Sequence, residues 1–453
     1  MRKYSWLALI VAALGSIIAI GIAAAAPPWA IQQVSSDPYT NPTSQHETEV
    51  EPDTFAFGDT VVSAFQAGRF FSGGGASNIR FATSFDAGET WTNGFLPSLT
   101  VLSSPAGAAT RATDPSVAYD STHGVWLIAS LNCFAEPCSA APTAIRASRS
   151  TDGVTWGAPV TVATGDYDKD WIVCDNWASS PFLGHCYAAW TDVGVGSTGS
   201  LVSTSSDGGL TWGPPVAATG MGLGVQPVVQ PNGNLVIVGL TAVDMGAIRS
   251  TDGGATFAPI VSVDPVSFHA PTGMRALPNP SVEVDAAGRI YAVWPDCRFR
   301  TSCSANDIAM STSDDGLSWS TVTRVPIDRT DSGIDHFIPG IAVDATTSGT
   351  ETDIAITYYY FPVASCTAPA CELNAGFIST NNAGVRWTKP KQLNDTPMAL
   401  SWIADTDAGR MVGDYISTSF AGNRAVPTIS VASAPTGGTF HQAMFAASIP
   451  VRG

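Results

Sequence analysis

Lysine is nearly absent from this 453-residue chain: Lys3, Lys169, Lys389 and Lys391 are all it has, and charged residues make up only 13% of it. What charge there is leans acidic, to a formal −17. That balance argues against nucleic acid and anionic membranes as partners, both of which are bound through clustered Lys and Arg. The metal-type C-x-x-C pair is missing, as are G-x-S-x-G, H-E-x-x-H and a contiguous D-x-D-x-D-G loop. These absences remove the usual sequence marks of a zinc site, an α/β-hydrolase serine, a zincin and an EF-hand. Beyond the first residues no apolar run is long enough to cross a bilayer.

The first residues do carry such a run. Arg2 and Lys3 precede an apolar stretch from Trp6 to about Ile22, and Ala23 to Ala26 offer a small-residue cleavage site. Residues 1–26 are therefore expected to be a signal peptide and 27–453 the mature chain. An uncleaved anchor is the alternative. Cleavage removes two positive charges and no negative ones, moving the formal charge from −17 to −19. The eight cysteines fall into local pairs: Cys133 with Cys138, Cys174 with Cys186, Cys297 with Cys303, and Cys366 with Cys371. Close pairs behind a secretion signal predict four disulfides and an oxidising, extracellular or cell-surface location.

Two repeats organise the rest. The first is a turn read in six copies: SFDAGETW from Ser84, STDGVTW from Ser150, SSDGGLTW from Ser205, STDGGATF from Ser250, TSDDGLSW from Thr312 and TNNAGVRW from Thr380. Each supplies a side chain that accepts bonds from turn amides, a Gly for positive φ, and an aromatic to bury as the chain leaves. Spacings of roughly 45 to 70 residues match a four-stranded propeller blade.

The second repeat is a hairpin of an inner strand, a turn and an apolar partner, read in seven copies beginning near Glu51, Asp114, Asp170, Gln226, Asn279, Ile338 and Gly413. The last copy is followed by one more strand, His441 to Ser448, which leaves its blade short of an outermost strand. An unplaced strand at Ala30 to Val34 would complete it, so one all-β propeller of seven blades closed by the N terminus is expected, with six as the alternative.

On the Ser, Asp, Gly and Trp turns the chain resembles the Asp-box (bacterial neuraminidase repeat) proteins of the sialidase-like propeller superfamily. The resemblance implies release of terminal sialic acid, with three arginines on its carboxylate, a Tyr/Glu nucleophile pair and an Asp acid/base. The family's early F/Y-R-I-P motif is absent here; the region reads EVEPDTFAFGDT.

Topology puts the turns between third and fourth strands on one face and the possible pocket loops on the other. Candidate ligand residues on the pocket face are Asp53, Arg69, Asp114, Asp170, Asp296, Arg298, Asp335, His336 and Tyr415, with Gln226, Asn279, Trp171, Asp192, Arg300 and Tyr358 to Tyr360 nearby. Asp414, Tyr415 and Glu283 are the candidate catalytic groups. Convergence of Arg69, Arg298 and Arg300 beside Tyr415 would favour a sialidase; their dispersal would count against one. With fold signalled more strongly than chemistry, the expected function is glycan or extracellular-protein binding at the channel mouth. An exo-α-sialidase or related glycoside hydrolase, and a structural envelope or matrix protein, are the alternatives. No cofactor is required by any motif, although carboxylates with backbone oxygens suit calcium. A monomer is the default expectation.

Overall fold

A computed structural model describes residues 29–138, 140–195 and 199–451; the leader lies outside the described residues. The chain is all-β, with regular helix confined to four single 3-10 turns among the described residues. Its strands form seven four-stranded antiparallel units. Six of them run inner strand, central pair and outer strand in chain order, as in Tyr167–Cys174, Cys186–Asp192, Gly199–Ser205 and Val216–Thr219, and the seventh takes its outer strand from the N terminus. The inner strands are Glu49–Phe57 (unit 1), Arg111–Asp120 (2), Tyr167–Cys174 (3), Gln226–Val229 (4), Ser281–Val284 (5), His336–Val343 (6) and Ser417–Ala421 (7). Each inner strand packs on the next, and that of unit 7 returns to unit 1, so the ring closes. This is a β-propeller.

The central strands are Val- and Ile-rich because both of their faces are covered. Val125–Cys133 (VWLIASLNC) is buried at every position, lying between neighbouring units. Continuous apolar strands, rather than alternating ones, are what such two-sided burial demands. The short outer strands meet solvent, and Thr92–Phe95 has no buried residue.

Units are also tied strand to strand near the axis. The Val117 amide donates to Asp53 Oδ2 (2.7 Å), that of Ile172 to Ser116 Oγ (3.0 Å), that of Val282 to Gln226 Oε1 (2.9 Å), and that of Ile341 to Ser281 Oγ (3.0 Å). Between units 3 and 4 the corresponding amide belongs to Pro227, which has no N–H, and the residue facing it is the indole-bearing Trp171. Asp53 and Gln226 thus serve as links between strands.

The Ser and Asp turns pin the periphery. Ser205 Oγ accepts from the Gly209 amide (2.9 Å) and bonds Asp207, whose Oδ1 accepts from the Thr211 amide (2.9 Å). The same bonds recur at Ser84 and Asp86, Ser150 and Asp152, Ser250 and Asp252, and Thr380 and Asn382. In the fifth turn the bonding residues are Ser313 and Asp315, one position later than the pattern from Thr312 suggests, because the loop to Gly316 is a residue shorter. The amides of Thr155 and Val154 hold the Asp152 carboxyl well below the usual carboxylate range. The turns also join units, since Trp156 packs on Phe81 at 5.7 Å between centroids.

Closure uses the N terminus. Gln32–Gln33 pairs antiparallel with Thr439–Ala446 of unit 7, a shorter strand than Ala30 to Val34, with the Val34 amide adding a bond to Met444 O (2.9 Å). The cysteines pair as their spacing suggests. Cys133 is bonded to Cys138, Cys174 to Cys186, Cys297 to Cys303, and Cys366 to Cys371. Cys174 and Cys186 join an inner strand to its central neighbour, whereas Cys138, Cys303 and Cys371 each lie five or six residues beyond their partners and close short loops.

Gly209 lies at φ +77° with its missing Cβ only 2.8 Å from Leu127 Cδ2 of unit 2. Gly209→Val should therefore lower unfolding stability by about 1–3 kcal/mol. Gly437→Ala, at φ +62° with nothing within 4 Å, should cost only about 1 kcal/mol. Chemical denaturation of both variants checks the contrast, and equal losses would contradict it.

Candidate functional site

Four inner strands carry a bulge just before the axis, and at each one a non-glycine residue takes left-handed backbone: Glu51 (φ 61°), Asp114 (49°), Lys169 (49°) and Ile338 (51°). Strain of this kind is retained where the surroundings over-determine it, and it clusters at functional sites. Here it gathers three charged side chains at the channel mouth.

Lys169 is the centre of that cluster. Its Nζ lies 2.9 Å from Asp114 Oδ1, within bonding distance of Asp414 Oδ2, and 3.7 Å from Glu51 Oε1. Arg275, from the link between units 4 and 5, grips Asp414 with both prongs, Nε to Oδ1 at 2.8 Å and Nη2 to Oδ2 at 2.7 Å. Burial pushes Asp414 up, but Lys169 and Arg275 overcome it and hold its carboxyl well below the usual range. Burial wins at Glu51, which despite Lys169 is pushed up to about 7 and bonds the Asp414 amide (3.1 Å) and Gln66. Asp168 is likewise raised by burial against the pull of Lys169.

Beside this cluster opens a cavity of about 420 Å³, walled by Arg69, Asp114, Asp168, Lys169, Arg275 and Asp407 among others. Arg69 is 1% exposed, its Nη1 on Gly75 O and its Nε on Met411 Sδ. The two arginines of the cavity wall therefore have partners within the protein.

The other sequence candidates disperse. Tyr415 stands near the mouth but is buried, with its hydroxyl donated to Pro115 O (2.8 Å) and its ring edge-on to Trp171. Burial holds its phenol well above the usual value. Glu283 does not join Asp414 and Tyr415. It lies toward the opposite end of the channel, where a cavity of about 750 Å³ is lined by Phe55, Phe57, Trp177 and Phe420. Arg298 is tied to Asp264 and Asp296, and Asp296 also accepts from Trp294 Nε1 (3.1 Å).

Arg300 bridges Asp307 (2.6 Å) and Asp328 (2.8 Å), with Arg324 on the same carboxylates. His336 joins that group, burial lowering its pKa to about 4. Asp307, Asp328 and His336 have the proximity of a metal trio, but two guanidiniums already supply its positive charge. Asp335 accepts from the Asn306 amide (2.7 Å) and pairs with His269. Arg69, Arg298 and Arg300 thus occupy three separate networks. Glu51, Lys169, Asp168 and Arg275 were missed in the sequence.

No family model matches the sequence, and no curated protein matches it. Among solved structures, the endosialidase of phage phi92 aligns at TM-score 0.52 and 8% identity over 94% of this chain and 70% of its own. The NanB sialidase of Streptococcus pneumoniae aligns at 0.47 and 12% over 94% and 71%, and the Penicillium chrysogenum α-L-arabinanase at 0.47 and 13% over 93% and 98%. The likeness to the phage endosialidase is one of fold, a β-propeller.

Removing the central ammonium would leave buried carboxylates uncompensated. Lys169→Met should cost about 3–5 kcal/mol at neutral pH, read by chemical denaturation; a loss below about 1 kcal/mol would show that the carboxylates relax into solvent or take up protons. Glu283 gives a second test. Burial, helped by Asp53, pushes its pKa from 4.5 up to about 8. A carboxyl that binds its proton more tightly when folded stabilises the fold fully below pH 4.5, and that contribution fades as pH rises through about 8. Glu283→Gln should match wild type at low pH and melt higher than wild type above pH 8. Melting curves that stay parallel across this range would refute the assignment.

Proposed function

We propose that this protein is a secreted glycoside hydrolase of sialidase-like propeller architecture that acts on a neutral sugar at the mouth cavity. The observation that carries the reading is the cavity wall. Asp168, a carboxyl whose pKa burial raises, stands beside Asp114, a carboxylate ion-paired to Lys169. A pair of carboxyls on one cavity wall, one of them holding its proton more tightly through burial, is the starting requirement for acid/base glycoside cleavage.

In this mechanism Asp168 gives its proton to the leaving glycosidic oxygen, while Asp114 acts on the opposite side as base or nucleophile. Lys169 positions Asp114 and Asp414. A neutral substrate fits better than sialic acid, because Arg275 already holds Asp414 with two prongs and Arg69 is buried on Gly75 O and Met411 Sδ. Secretion is supported by the four disulfides and the leader sequence. A second reading, a glycan-binding module without turnover, is favoured by one feature: Tyr415, the nucleophile candidate, has its hydroxyl engaged by Pro115 O.

The test is a panel of 4-methylumbelliferyl glycosides, neutral sugars and sialic acid together, offered to the mature, disulfide-intact chain. Turnover is expected on a neutral sugar and not on the sialoside. Asp168→Asn should lower kcat by about 10²–10⁴-fold and abolish the alkaline limb of the pH profile. Sialoside turnover would overturn the neutral-sugar assignment. Silence on every sugar from folded protein would leave the binding module as the correct reading.

A further inference from the structure

At the end of the channel away from the mouth, the cavity of about 750 Å³ has a wall unlike that of the mouth. Its volume falls in the range of small-molecule sites. Four aromatic side chains line it: Phe55 and Phe57 where the inner strand of unit 1 ends, Trp177 from the loop after the inner strand of unit 3, and Phe420 from the inner strand of unit 7. Phe57 is 45% exposed, and its ring is backed by Tyr119 at 4.4 Å between centroids. Trp177 donates its Nε1 to Val229 O (2.7 Å), so its indole presents ring alone to the cavity.

The charged groups on this wall are all acids. Glu283 of unit 5 stands where the narrow axial channel opens into the cavity, lining both, and Asp344 and Asp353 of unit 6 complete the set. No Lys, Arg or His lines the cavity among the described residues. Arg424, next in sequence to the lining residue Asn423, turns to Ser448 and Glu89 instead. At the mouth, carboxylates are matched by Lys169 and Arg275 from within the protein. Glu283 has no such cation among the described residues, and burial, with Asp53 further up the axis, pushes its pKa up to about 8. The wall's other polar groups are largely occupied: Asn176 donates to Tyr119 O and accepts from the Ser121 amide, Thr418 bonds Thr357, and Ser419 bonds Thr54. Little is left to pair with sugar hydroxyls. Aromatic faces beside an unpaired carboxyl are instead what holds an organic cation.

We propose that this cavity is a binding site for a small organic cation, a quaternary or alkylated ammonium. Its charged nitrogen lies against the faces of Phe57, Trp177 and Phe420 and beside the Glu283 carboxyl, and its alkyl groups take up the apolar wall. An anion would meet three carboxyls and no base. Because the cation favours the ionised form of Glu283, affinity rises with pH and levels off above about 8.

The probe is choline, set against the neutral alcohol of the same shape in which carbon replaces the nitrogen, both titrated calorimetrically into the full mature chain. One choline per chain is expected, with the neutral alcohol about tenfold weaker at a pH where Glu283 is ionised. Phe57→Ala truncates a half-exposed ring, and Glu283→Gln keeps the shape of the protonated carboxyl. Each should weaken choline about tenfold under the same conditions, and Glu283→Gln should also lose the step in affinity near pH 8. Equal affinity for the neutral alcohol would make the cavity a merely apolar site and overturn the proposal. So would choline affinity unchanged in either variant, or folded wild-type protein that binds no choline. None of these readouts depends on glycoside turnover, so this site and the hydrolase reading stand or fall separately.

Discussion

The ammonium of Lys169 is the interaction on which the centre of this propeller depends. It projects from the inner strand of unit 3 and meets carboxylates from unit 1 (Glu51), unit 2 (Asp114) and the segment leading into unit 7 (Asp414). Burying one cation alone would be prohibitive, and burying the carboxylates without it equally so. Together they are tolerable only in one arrangement. The ion cluster therefore adds little net stability compared with an apolar plug, but it specifies how the units must sit around the axis.

That specificity answers a weakness of ring architectures. Each propeller unit contacts its neighbours through broad, similar apolar faces, which alone would allow adjacent units to slide. The amide bonds that link Asp53 to Val117, Ser116 to Ile172, Gln226 to Val282 and Ser281 to Ile341 fix the register of neighbouring pairs. Lys169 and Arg275 then connect units that are not sequence neighbours. The backbone strain at Glu51, Asp114 and Lys169 is the price of aiming those side chains inward.

The fold was largely legible in the sequence because its signals are local. Ser205, Asp207, Gly209 and Trp212 lie within one turn, and the hairpins announce themselves through paired apolar runs and turn residues. The site was legible only where a residue follows a recurring pattern, as Asp114 does in its Asp-Pro step. Glu51-Pro52 and Asn279-Pro280 repeat that step, so aligning the hairpins on the residue before proline would have brought Glu51 forward. Lys169 breaks the pattern, with Asp170 in the proline position. Arg275 could not be found this way, since it reaches Asp414 across 139 residues from an irregular link. Arg298 and Arg300 failed as candidates for a related reason: sequence placed them on the right face, but only packing decides how far from the axis a side chain falls.

The same comparison bears on the proposal that the mouth takes a neutral ligand although it contains arginine. An arginine recognises a substrate carboxylate when its fork is preorganised and unpaired. Here the folding of the ring itself requires those forks: Arg275 offsets the burial of Asp414, and Arg69 closes the Gly75 loop. A substrate carboxylate would have to displace a protein carboxylate already held at 2.7 to 2.8 Å, an exchange with little net gain. Hydroxyl groups make no such demand, because they can donate to Asp114 and Asp168 and accept from whatever donors remain. On the proposed reading, the chemistry left over after the fold has satisfied its own charges suits a neutral, hydroxyl-rich ligand.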